Sequence, residues 1–131
     1  MFQIDTTTGA ITTFQGDSGK FYLSGERILD YDRVSLSVFN DNYKVLMNID
    51  KDYSISDIDE NNGMTFSIAP EDTDSLVVQR GNDFEEYYYS IKFSKQGNPN
   101  IEHTFLIGDN TIDDKVPFIV YAKRNEGYKN D

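Results

Sequence analysis

The hydrophobic positions of this chain repeat with a period of two. Val34, Leu36 and Val38 alternate with Ser35 and Ser37, and Met64, Phe66 and Ile68 alternate with Thr65 and Ser67. Tyr87, Tyr89, Ile91 and Phe93 alternate with Tyr88, Ser90, Lys92 and Ser94. Successive side chains of a strand point to opposite faces, so each run predicts a strand with one face on a core and the other toward water. Further strands are expected at Ile11–Phe14, Lys20–Ser24, Tyr43–Ile49, Ile101–Ile107 and Val116–Ala122. Turn chemistry separates them at Ser24-Gly25, Asn40-Asp41-Asn42, Asn61-Asn62-Gly63, Gly97-Asn98-Pro99 and Gly108-Asp109-Asn110. The pattern predicts an all-β fold, an antiparallel β-sandwich of about seven to nine short strands. Helix has room only near 70–76, where Pro70 and the acids that follow suit a first turn bridging two strands.

Length supports one domain over 1–131, with an ordered core at about 11–122 and frayed termini. The sequence holds 23 acidic and 12 basic residues, for a net charge of −11. Such a surface repels phosphate backbones and anionic lipid, which argues against direct nucleic-acid or membrane binding. No apolar run reaches membrane-spanning length and no signal peptide is legible. Cysteine is absent, which excludes disulfides and thiolate metal sites. Nine Phe and nine Tyr are too many for a disordered acidic tail.

Gly16-Asp17-Ser18-Gly19 is the string that surrounds the nucleophile of trypsin-like proteases. A serine nucleophile needs a base and a group that orients the base. The single histidine, His103, follows the serine instead of preceding it, and Lys20-Phe21 stands where that string continues with Gly-Pro. The stretch therefore reads as a turn: Gly16 and Gly19 supply positive φ, and Asp17 and Ser18 cap backbone amides. No convergent set of catalytic groups can be assembled, so the chain reads as a non-enzyme without a cofactor.

Asp57-Ile58-Asp59-Glu60-Asn61-Asn62-Gly63 has calcium-loop character, but Asn62 and Ile68 stand where an EF-hand needs Gly and Glu. It reads as a solvated hairpin turn, with a looser calcium site as the alternative. Tyr87 and Tyr89 continue into the core face and only Tyr88 points the other way, a weak sugar platform. Asp57, Asp59, Glu60 and Tyr88 are the candidate interaction residues.

The order of these pieces carries more than any one of them. A GDS turn precedes a strand, LDYDRVSLSVFN leads into the next, and MTFSIAPEDTDSLVVQRGNDFEEYYYSIKF, HTFLIG and VPFIVYA follow. This order resembles the amino-terminal domain of phage upper-baseplate proteins. The matching positions are Gly16, Asp17, Ser18, Val34, Leu36, Phe66, Ile68, Thr73, Leu76, Gly81, Tyr87, Tyr89, Ile91, Lys92, Thr104, Gly108, Ile119 and Val120, within about 11–122. The resemblance implies a virion β-sandwich that attaches a host-adhesion organelle to the tail in several copies. Its partners would be other virion proteins or copies of itself, and its location the virion, or the host cytoplasm during assembly. Within that frame Thr73 caps the short turn, Leu76 packs beneath it, and Gly81 permits the bend before Tyr87 and Tyr89 enter the core. The alternatives are an acidic inhibitor of a host nucleic-acid-binding protein and a carbohydrate-binding module.

Overall fold

Nine strands build two sheets in the computed structural model, which describes residues 2–105 and 115–123. The strands are β1 (Phe2–Ile4), β2 (Ile11–Phe14), β3 (Gly19–Ser24), β4 (Arg33–Phe39), β5 (Val45–Asp52), β6 (Gly63–Ile68), β7 (Phe84–Lys95), β8 (Asn98–Phe105) and β9 (Val116–Tyr121). The large sheet runs β1-β2-β9-β7-β4-β5, with β8 beside the far half of β7. The small sheet is the antiparallel pair β3-β6. One short helix, α1 (Pro70–Asp74), and 3-10 turns at Glu26–Asp30 and Ile55–Asp57 complete the described residues.

The inward faces follow the alternation. Val34, Leu36, Val38, Tyr89, Ile91, Phe93, Phe118 and Val120 project from the large sheet onto Phe21, Leu23, Met64, Phe66 and Ile68 of the small one. The strand expectation at Lys20–Ser24 is realised as β3, and the helical turn falls where Pro70 at its first position allows it.

Three expectations about strands need correction. The sandwich is not wholly antiparallel: β2 and β9 pair in parallel, with Ile11 opposite Phe118 and Thr13 opposite Val120. Alternation looks the same for either orientation, so nothing local marks that choice. The opening residues, expected to be frayed, form β1 against β2, and Phe2 stacks on Phe21 at 6.3 Å. The turn expected at Gly97-Asn98-Pro99 is two residues shorter on that side, because Asn98 and Pro99 both lie within β8. The expected Gly108-Asp109-Asn110 turn, the acids Asp113 and Asp114 and the tail from Asn125 lie outside the described residues.

The Asp57–Gly63 loop is likewise not a hairpin turn. It joins β5 of the large sheet to β6 of the small one and so crosses the sandwich. The Gly16 turn is another such crossing, from β2 to β3, and α1 lies on a third, from β6 to β7. Among the described residues no helix is long and apolar enough to cross a membrane.

Candidate interaction face

The polar partners in the alternation line the outward side of the large sheet. Ser35 and Ser37 of β4 stand opposite Lys92 and Ser90 of β7, and Asn48 of β5 stands opposite Ser37. Thr104 of β8 continues the row past Lys92, and Glu102 continues the one past Ser94. These side chains line a shallow groove of about 540 Å³, closed at one end by Phe39, Tyr43 and Val45. Along one side of it Ser37 Oγ donates to Asn48 Oδ1 at 2.8 Å, and Asn48 Nδ2 donates to Asp50 Oδ1 at 3.0 Å.

The aromatic end depends on two local irregularities. A β-bulge between Val38 and Phe39 interrupts the register of β4 with β5, while the alternation runs on unbroken against β7, with Val38 in the core and Phe39 opposite Tyr88. The hairpin that follows is held by Asn40, whose Oδ1 accepts from the amides of Asn42 at 2.9 Å and Lys44 at 3.0 Å. Within it Tyr43 adopts a left-handed backbone with φ 63°. That geometry lays its ring on Phe39 at 5.5 Å, close to parallel, while Tyr88 packs on Phe39 at 6.2 Å. Lys115 spans the group, with Nζ 4.7 Å from the Tyr43 ring centre, 5.6 Å from that of Tyr88 and 3.2 Å from Asp41 Oδ1. The Tyr88 hydroxyl donates to the Glu86 carboxylate, which pushes that phenol upward, and the hydrogen bond to Asp41 raises Lys115. Tyr88 is thus the one candidate interaction residue that belongs to this face. Tyr43 and Phe39 were missed because Tyr43 reads as the first residue of a strand, although Asn40-Asp41-Asn42 already marked the turn.

The acidic candidates lie elsewhere, between the sheets. Asp59 accepts from the amides of Asn61 at 2.8 Å and Gly63 at 3.1 Å, and from the Tyr22 hydroxyl at 2.6 Å. The Tyr22 bond leads the causes that hold Asp59 below the usual carboxylate range. Asp57 accepts from the Ser54 amide at 2.9 Å, and Glu60 sits exposed on the same loop. Asp57 and Asp59 thus serve their own loop. Among the described residues no group of three or more His, Asp or Glu converges to hold a metal ion.

The motif residues around the Gly16 turn act structurally, with two revisions. Gly16 has φ 80°, as expected, whereas Gly19 lies outside the left-handed region. Gly19 is needed for space: a Cβ there would stand 2.2 Å from Cγ of Phe2. Asp17 closes the turn through its amide, which donates to the Phe14 carbonyl at 3.2 Å, and Ser18 follows, exposed. Thr73 does not cap the start of α1; the Asp72 carboxylate does, accepting from the Ala69 amide at 3.0 Å. The fully buried Thr73 hydroxyl donates instead to the Asp17 carbonyl at 2.8 Å, tying α1 to the turn.

Leu76 is buried beneath α1, and Gln15 Nε2 donates to its carbonyl at 2.7 Å. Gly81 bends the chain with φ 94°. Tyr87 and Tyr89 enter the core and donate their hydroxyls to the carbonyls of Val77 and Gly9. The chain matches no family profile, no curated protein and no solved structure.

Proposed function

We propose that this chain is a non-enzymatic attachment domain of a phage virion, one that docks a tail or baseplate host-adhesion assembly. The observation that carries the reading is the open edge of the large sheet. β5 ends the strand order, and its eight residues have a partner on one side only among the described residues. An open edge offers unpaired backbone donors and acceptors to a second chain. Here it starts beside exposed Tyr43 and includes exposed Val45 and Leu46, so apolar area accompanies the backbone groups. At the other end of the order β1 has three residues, a much shorter edge. The resemblance of the element order to phage upper-baseplate domains gives the partner class: other virion proteins, or further copies of this chain.

Mass spectrometry of density-purified phage particles tests this. Stoichiometric recovery of the chain is expected. Absence from particles while the chain is abundant in the infected-cell lysate would overturn the reading and favour an acidic inhibitor of a basic host protein. Glu60→Gln is then the clean probe of the acidic loop, because Asp57 and Asp59 also hold that loop together.

A further inference from the structure

We infer that the groove on the outward face of the large sheet binds a neutral oligosaccharide, with the Tyr43 ring as its aromatic wall. This goes beyond the attachment reading and does not depend on it. Three independent features point to that ligand class.

The first is the chemistry of the floor. Ser35, Ser37, Ser90 and Ser94 present small hydroxyls from two adjacent strands, and Asn48 and Thr104 extend the row on either side. Hydroxyls and amides both donate and accept, which suits a ligand whose own polar groups are hydroxyls. The second is charge. In a chain of net charge −11, the lining of the groove includes one cation and one anion, Lys92 and Glu102, with Asp50 and the Lys115–Asp41 pair at its margins. The surrounding field disfavours an anionic ligand, and a floor of serines has no carboxylate row to hold a cationic one. Neutral ligands remain. The third is the wall. Tyr43 is 55% exposed and holds a backbone conformation that side chains other than Gly, Asn and Asp rarely adopt. Strain of this kind collects at ligand sites. Stacked on Phe39 and flanked by Lys115, the ring is fixed before any ligand arrives. The part of the ring left exposed beside Phe39 and Lys115 offers apolar contact to the C–H face of a sugar, while the sugar hydroxyls turn to the serines. The volume, about 540 Å³, falls within the range of small-ligand sites.

The test is amide-resolved NMR of the full chain titrated with maltohexaose, cellohexaose, chitohexaose and mannohexaose at millimolar concentration. At least one sugar is expected to shift the amides of Ser35, Ser37, Asn48 and Ser90 saturably. Two variants then check the geometry. Tyr43→Gly removes the wall while suiting the backbone, and Ser90→Tyr fills the floor with a residue that favours strands. Each should weaken binding about tenfold or more. No saturable shift with any of the four sugars would overturn the inference, as would undiminished binding by both variants. Shifts on this face that follow protein concentration alone would overturn it too, and would mark the face as a contact between copies.

Discussion

Tyr43 illustrates how a single residue can hold a cost that its neighbours offset. A left-handed backbone costs a side-chain-bearing residue roughly 1–2 kcal/mol relative to glycine. Here that cost is set against the stack on Phe39 and the Lys115 contact. Tyr43→Ala loses the ring and keeps the strain, whereas Tyr43→Gly loses the ring and relieves it. The glycine variant should therefore unfold about 1 kcal/mol later than the alanine variant in denaturant titrations. Equal stabilities would show that the hairpin relaxes out of the left-handed region. Two other tyrosines set the alkaline limit. Burial pushes the phenols of Tyr53 and Tyr89 well above their ordinary value, while their hydroxyls donate to the carbonyls of Ile28 and Gly9. The folded values exceed the unfolded ones, so this contribution is complete below about pH 10 and is lost as pH rises beyond it. Stability should fall above that pH, less steeply in Tyr53→Phe and Tyr89→Phe, and phenolate absorbance of these two should appear only with unfolding.

At the scale of elements, strands were legible where alternation ran for five or more residues, as in β4, β6 and β7. Three-residue β1 was not, since so short a run shows no period and its place depends on β2 and on the Phe2–Phe21 stack. That docking also explains Gly19. Gly19→Ala puts a methyl into the Phe2 ring and should destabilise by about 1–3 kcal/mol, the usual penalty for overpacking. Phe2→Ala should remove most of that penalty, leaving the double variant more stable than the two single losses add up to. Additive losses would mean that Gly19 is required for its backbone and not for the ring above it. The short helix was legible from Pro70 and its acids, yet the task of Thr73 was not, because its partner, the Asp17 carbonyl, lies 56 residues away.

For the whole molecule, charge was legible at once and its consequence follows directly. With 23 acids against 12 bases, self-repulsion works against the compact state. The ion pairs Arg27–Asp30, Arg33–Asp52 and Lys115–Asp41 all include exposed partners, and such pairs contribute about 0–1 kcal/mol each. Net repulsion should outweigh them. The melting temperature is expected to rise as salt is brought from near zero to about 0.15 M, where the Debye length shrinks to about 8 Å. A fall would show that the pairs dominate. The same charge that disfavours phosphate-bearing partners leaves the groove locally neutral, which could not be read along the chain. Serines of β4 and β7 lie more than fifty positions apart and become one floor only through strand pairing.

Alternation and turn residues, which are local, therefore sufficed for the strand class, the core face and the short helix α1. The parallel pairing of β2 with β9, the division into a large and a small sheet and the groove all came from contacts between distant segments. A period of two says which side of a strand is apolar, but not which strand lies beside it. That choice is made when the core closes, by which pairings bury Phe66, Phe93 and Phe118 together.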